Sequence, residues 1–226
     1  MHSPIVLPAV RVLSLTVGLG LLVACAGPPP LAQRMEPAVE GTVTVFHRQS
    51  SGSLGEYDGN VVWQLHEARW NGKKASALMS PQMGGQILEP ESEGLIATLD
   101  RSGDLVYSFD PPVAFEWPLQ VGKRWQSQHT MTFHATGRSI PLFMNWAVES
   151  YGDITVPAGT FKAYKLIWSD SLGDVETRWV SPQQGMGTIK RHVMRMPAHP
   201  LGAGQLDAEM LSHTPPPHGF FCRRCS

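Results

Sequence analysis

From Thr42 to Ser212 the chain breaks again and again into short runs of alternating apolar and polar residues. Turn signals separate these runs every 10 to 15 residues or so. Thr42-Val43-Thr44-Val45-Phe46 is rich in β-branched residues and suits a first strand. Asn60 to Trp70 is a longer strand, followed by Asn71-Gly72, the dipeptide best suited to a type I′ hairpin turn. Ala75 to Ser80 returns antiparallel. That turn sets the register: Leu65 faces Leu78, Gln64 faces Met79, and Arg69 lies opposite Lys74 as an unfavourable like-charge pair.

A second hairpin runs from Leu95–Leu99 through Asp100-Arg101-Ser102-Gly103-Asp104 into Leu105–Phe109. Pro111-Pro112 is expected to end it, because proline has no N–H to give to a ladder. Gly84-Gly85 reads as an ordinary turn. Trp125 to Ala135, Leu142 to Val156, Phe161 to Ser169, Glu176 to Ser181, Gly187 to Met194 and Leu206 to Ser212 supply further strands. Helix signals are few. The expected class is all-β: an antiparallel, strongly curved sheet or partly closed barrel of short strands, with few or no helices after the leader.

That leader is the opening segment. Arg11 is its one strongly basic residue, Val12 to Val23 is apolar, and Ala24 precedes Cys25. The apolar run is about 12 residues, short of the ~20 needed to span a hydrocarbon core. Leu22-Val23-Ala24-Cys25 resembles the bacterial lipobox. That resemblance implies cleavage before Cys25, acylation of its thiol (palmitate among the chains), and a mature lipoprotein anchored to a membrane. Ala26 follows the cysteine, where an aspartate would imply retention at the inner membrane. The expected location is therefore the cell envelope, on the outer membrane facing the periplasm where the host has two membranes.

The expected organisation is a signal peptide over 1–24, a Pro-rich tether over 25–38, one β-rich domain over 39–213, and a flexible tail over 214–226. Pro28-Pro29-Pro30 and Pro37 favour extended geometry in the tether. Removing 24 of the 226 residues leaves about 200, enough for one sizeable core. The net charge of −1 becomes about −2 once Arg11 is lost. No basic face accompanies it, so a nucleic-acid partner is not expected.

Three segments are similar to an exported bacterial family, the domain-of-unknown-function 3108-like family. They are Pro118 to Trp125, Val156 to Ala163, and Trp179-Val180-Ser181-Pro182 with Gly185 to Arg191. The resemblance implies a β-rich periplasmic or surface lipoprotein domain and carries no catalytic residues with it. The motifs themselves are structural in character. Pro157 presets a turn, Gly159 tolerates positive φ, and Gly185 and Gly187 flank Met186 as at a bulge or sharp bend.

Chemistry is sparsely signalled. None of the nine histidines has the short, same-face spacing of a zinc site, and no cofactor motif is present. His129 and His134 are five apart on one strand and so point to opposite faces. Gly137-Arg138-Ser139-Ile140 is not a nucleophile elbow. Glu67, Glu116, Glu149, Asp170 and Glu176 offer carboxylates for glycoside hydrolysis without any spacing that ranks them. Cys222 and Cys225 have redox-motif spacing but follow Pro215-Pro216-Pro217, so the expectation is either a local disulfide in an oxidising compartment or a chance feature of a frayed tail. The seven tryptophans, Trp63, Trp70, Trp117, Trp125, Trp146, Trp168 and Trp179, stand on strands or their ends. They suit a core or the lining of an apolar pocket.

Three functions fit these features. A non-enzymatic binding or assembly module, with an envelope protein as partner, is the first. A carrier of lipid or another hydrophobic ligand is the second, and an envelope hydrolase the third. An apolar cavity larger than a few waters would select the carrier, and converging carboxylates or a Ser–His pair in a cleft the hydrolase.

Overall fold

The computed structural model describes residues 29–217 except Glu91. Twelve strands follow one another: β1 (Val43–Gly52), β2 (Tyr57–Trp70), β3 (Lys73–Ser80), β4 (Gly84–Leu88), β5 (Leu95–Leu99), β6 (Leu105–Val113), β7 (Arg124–Phe133), β8 (Arg138–Val156), β9 (Gly159–Asp170), β10 (Asp174–Ser181), β11 (Met186–Arg195) and β12 (Gly204–Thr214). Each pairs antiparallel with its sequence neighbours, and β1 pairs with β12 as well, so the sheet is a closed up-and-down barrel. Closure satisfies both edges of the sheet. A single 3₁₀ turn, Pro182–Gln184, is the only helical element among the described residues.

The turns explain the registers. Asn71 and Gly72 have φ of 49° and 78°, the two positive values a type I′ turn needs. The β2–β3 ladder pairs Leu65 with Leu78, Gln64 with Met79 and Arg69 with Lys74, as the sequence predicts. Arg69 turns away from Lys74 and donates to the carbonyl of Gly72 (3.1 Å). In the β5–β6 turn, Asp100 Oδ1 accepts from the N–H groups of Ser102 (2.8 Å) and Asp104 (3.0 Å).

Two local expectations are corrected. Gly84-Gly85 is the start of β4 and not a turn; a Cβ on Gly85 would lie 2.6 Å from Met79 Sδ, so glycine here makes room for the neighbouring strand. Pro111-Pro112 does not end β6, which runs on to Val113 opposite Leu95. The β6–β7 ladder stops at Asp110, and the Pro111 carbonyl bonds instead to His129 Nδ1 (2.8 Å).

On β7 and β8, Phe143 excepted, alternation places apolar residues inside and polar ones outside. On β8, Leu142, Met144, Trp146 and Val148 are buried, while Pro141, Asn145 and Glu149 are exposed. On β7, Arg124, Gln126, Gln128 and Thr130 are exposed, and His129 and Met131 are buried. On these two strands the pattern is the inverse of that of a membrane-spanning barrel, whose outward positions are apolar, whereas β2 to β5 turn an apolar cluster with Trp70, Ala75, Ala77 and Ile87 away from the cavity. No helix among the described residues is long and apolar enough to cross a membrane.

Part of the expected tether is docked on the barrel. Ala32 forms a bridge with Leu119 through mutual main-chain hydrogen bonds (3.1 and 2.8 Å), Glu36 N–H donates to the Pro182 carbonyl, and Tyr164 Oη donates to the Pro30 carbonyl (2.5 Å). Ala32 and Met35 are buried. Ala32 joins a core cluster with Leu119, Val148, Tyr164, Leu166 and Val180. Proline-rich composition forbids a helix or central strand here but leaves the small and apolar side chains between prolines free to pack.

Candidate functional site

Cys25, Cys222 and Cys225 lie outside the described residues. Among the candidate acids, Glu116 and Glu149 are exposed and pair with Lys123 and Lys165, and Glu67 is exposed near Lys74. Only Asp170 and Glu176 turn inward. Asp170 Oδ1 accepts from Leu172, Gly173 and Asp174, each at 2.9 Å, and so closes the β9–β10 turn. Glu176 is held between two guanidiniums. His129 does meet a serine, Ser127 Oγ at 2.8 Å, and Trp146 Nε1 donates to the same hydroxyl (3.1 Å). Neither Ser127 nor His129 lines the cavity, and the trio fastens the barrel wall. His134 bonds Ser108 on the outer side, so the two histidines face opposite ways. His192 and His47 pair with Asp207 and Asp58.

The barrel encloses a cavity of about 610 Å³, room for ~20 waters at ~30 Å³ each. Barrels of about eight strands are just filled by their side chains or hold one small ligand; twelve strands leave more. Its walls differ. Strands β2 to β9 contribute mostly apolar side chains, among them Trp63, Leu65, Leu78, Phe109, Met144 and Trp168. Trp146 also lines it. Trp125 stacks on Trp146 (5.4 Å between ring centres, 3° between planes), and Phe115 meets Trp146 edge-on. These contacts hold the indole in place. Thus three of the seven tryptophans face the cavity. Trp70 instead packs against Ala75, Ala77, Ile87 and Ala97, on the face opposite Leu65 and Leu78. Trp179 lies between the ammonium groups of Lys165 and Lys190.

The wall formed by β10, β11, β12 and β1 is cationic. Arg178 pairs in register with Arg191, Arg191 with Ala208, and Ala208 with Arg48. Three arginines thus stand in one row across four adjacent strands, with a small residue between Arg191 and Arg48. All three line the cavity, as does Arg195. Beside the row sits Glu176, with no side-chain exposure, which accepts from Arg178 Nε (2.5 Å) and Arg191 Nη2 (2.7 Å). Burial would raise its carboxyl, but the two guanidiniums and their hydrogen bonds outweigh burial and hold it below the usual value. Arg195 grips Asp174 with both Nε (2.8 Å) and Nη2 (3.1 Å).

Arg48 has no such partner. It donates to Ser50 Oγ, the Leu54 carbonyl and Met83 Sδ, and among the described residues no carboxylate stands within salt-bridge distance of it. Burial, and then the charge of Arg191, lower its guanidinium. One further acid reaches the cavity. Glu93, on the β4–β5 loop, extends to within 2.5 Å of where a Cβ on Gly187 would lie. Burial raises its carboxyl from 4.5 to about 7, against the opposing pull of Arg178.

Hydrophobic alternation signals an apolar interior. The arginine row carries no sequence signal of its own, because Arg48, Arg178 and Arg191 meet only once β1 closes on β12.

No family model matches the chain, so the family expected from the three motifs finds no support there, and no curated protein matches it. Among solved structures it is similar to the hypothetical lipoprotein YmcC from Escherichia coli K12, with a TM-score of 0.41, 12% identity, and coverage of 77% of this chain and 85% of that one. It is similar to a protein described as a lipoprotein from Parabacteroides distasonis (TM-score 0.36, 12% identity, 81% and 99% covered). A protein described as exported, with a YmcC-like fold, from Bacteroides fragilis gives a TM-score of 0.41 at 8% identity, with 81% and 100% covered. Likeness at this level supports no inference about activity or ligand.

Proposed function

We propose that the protein is a lipid-anchored envelope protein that holds a hydrophobic small molecule inside its barrel, without chemical turnover. The observation that carries this reading is the cavity of about 610 Å³, walled on most strands by aromatic and aliphatic side chains. It falls within the ~300–1,000 Å³ range of small-molecule sites. Of the three roles the sequence admits, the cavity favours the carrier over a general assembly module. The carboxylates named for hydrolysis are engaged in ion pairs and a turn, which supports the carrier over the hydrolase.

Trp63, Trp146 and Trp168 line the cavity, so an occupant bearing a heavy atom should quench them. Brominated long-chain probes titrated into the Cys25→Ser chain should quench fluorescence saturably. Each added methylene should tighten binding about four-fold, equivalent to ~0.8 kcal/mol, until the cavity is filled. Probes that bind no better with longer chains, or that do not bind, would sink the carrier reading. Location is tested separately. Cys25→Ser should release the protein from membranes and abolish palmitate labelling, and density-gradient fractions should place the wild type with the outer membrane. Continued membrane association of the variant would remove Cys25 as the anchor.

A further inference from the structure

We infer that the cavity takes a ligand with two parts, a long apolar chain and an oxyanion head, and that the head is bound by the arginine row of Arg48, Arg178 and Arg191. This rests on the carrier reading above and adds the chemistry of the ligand.

The charges on the cavity wall do not balance. A purely structural ion-pair network needs about as many carboxylates as guanidiniums, because an uncompensated cation inside a fold is costly. Here Arg48, Arg178, Arg191 and Arg195, with Arg138 at the exposed start of β8 as a fifth lining arginine, face Glu176 and Asp174. Glu176 is shared by two arginines, Asp174 is taken by Arg195, and Arg48 has no acid at all among the described residues. Asp170 and Glu93 also line the cavity, but Asp170 Oδ1 is occupied by the turn it closes, and burial pushes the carboxyls of both upward.

A second, independent observation points the same way. Arg191 Nε is buried and has no hydrogen-bond partner among the described residues. Buried donors in native folds are nearly always satisfied; Thr98 Oγ1 and Trp117 Nε1, neither of them on the cavity wall, share this state, so Arg191 Nε marks the row as short of acceptors without by itself placing one. A carboxylate or phosphate oxygen suits it, since guanidiniums bind both through paired N–H groups.

The placement fits an amphipathic molecule and not a small inorganic anion. The row is confined to β1 and β10–β12, and the wall from β2 to β9 that completes the cavity presents Trp63, Leu65, Leu78, Phe109 and Trp168, with Gln86, Arg138 and Asp170 as its polar members. An inorganic anion would leave that apolar wall without a partner. A neutral lipid would do the same to the arginines.

A fatty carboxylate and an acidic lipid headgroup share this chemistry, and the test separates them. Hexadecanoate, hexadecyl phosphate, lysophosphatidylglycerol and hexadecanol are each titrated into the Cys25→Ser chain, with binding read by tryptophan fluorescence and calorimetry. At least one acidic probe should bind about 10-fold or more tighter than hexadecanol, the gain expected of a charge-assisted hydrogen bond. Preference for hexadecanoate identifies a free fatty acid as the source, and preference for the phosphate probes an acidic lipid. Arg48→Gln should reduce this preference and leave hexadecanol binding unchanged; it orphans no buried carboxylate, so the fold should tolerate it. Arg48→Lys should retain part of the preference. Equal binding of hexadecanol and the acids by the wild type overturns the headgroup assignment and leaves the carrier reading standing. The headgroup assignment falls equally if Arg48→Gln folds and keeps the full preference. If none of the four binds, the carrier reading falls, and this inference with it. The wild-type comparison stands even if a variant does not fold.

Discussion

Glu176→Gln should be among the most damaging conservative changes in the protein. Glutamine keeps the volume and can still accept one hydrogen bond, so what is lost is the charge. Arg178 and Arg191 then share the barrel interior with no counter-ion at that point. Breaking a buried ion pair on one side costs ~3–5 kcal/mol. Both arginine side chains stay partly exposed, at 26% and 28%. That exposure places the expectation at the lower end, about 3 kcal/mol. For a domain of this size each kcal/mol moves the melting temperature by ~2–4 °C, so a fall of roughly 6–12 °C should follow. Urea unfolding followed by tryptophan fluorescence should show a lower midpoint at an unchanged slope. Glu209→Gln is the control: it loses a pair with Lys190 whose side chains are 41% and 30% exposed, and should cost under ~1 kcal/mol. Acid behaviour gives a second reading. A carboxyl held below its unfolded value stabilises the fold above about pH 4.5, and that contribution is lost as pH falls through the folded value. Glu176→Gln should therefore flatten this part of the acid limb. A loss within 1 kcal/mol of wild type, or equal to that of Glu209→Gln, would refute the reasoning, and the guanidiniums would have to be balanced by other groups.

Glu93 has the opposite sign: its folded value, about 7, lies above 4.5, so the folded state holds the extra proton and stability should decline as pH rises from 4.5 to 7. The full shift corresponds to ~3 kcal/mol at most; Glu93→Gln should remove the slope, and an unchanged slope in pH-dependent melting would assign it to another group. Gly159→Val should cost roughly 1–3 kcal/mol, from backbone strain at φ 133° and not from a clash, since the nearest atom to a Cβ is 3.8 Å away; an unchanged melting temperature would count against it. Tyr164→Phe removes the hydroxyl that binds the Pro30 carbonyl; it should cost ~1 kcal/mol and open residues 30–36 to limited proteolysis, and equal protease resistance would mean that the other contacts suffice.

Legibility followed the range of the interaction. The β2–β3 hairpin could be read to the residue because Asn71-Gly72 fixes both the turn and the register within fourteen positions or so. Strand β4 was hidden because its two glycines look like a turn, and only the closeness of Met79 and Leu99 shows why glycine is needed there. The passage of β6 through Pro111-Pro112 depends on a distant ring, His129, meeting a carbonyl that the ladder leaves over. The cavity was legible as an apolar interior but not as a space, since alternation says which way a side chain points and not how far away the opposite wall stands. The arginine row was least legible of all: Arg48 and Arg191 are brought together by pairing between the first strand and the last.

The docked segment before β1 has a consequence for orientation. Pro30 and Ala32 are fastened to Tyr164 and Leu119, so a lipid on Cys25, as proposed, would leave a leash of only five steps of chain. Fully stretched, that is about 17 Å, little more than half the ~30 Å thickness of a hydrocarbon core. A barrel so tethered would not tumble freely above a membrane. In an up-and-down barrel the entry to β1 shares its end with the β4–β5, β6–β7 and β10–β11 connections. That end carries Glu93 and Gly185 of the cavity wall, and a lipid on Cys25 would hold it toward the bilayer surface.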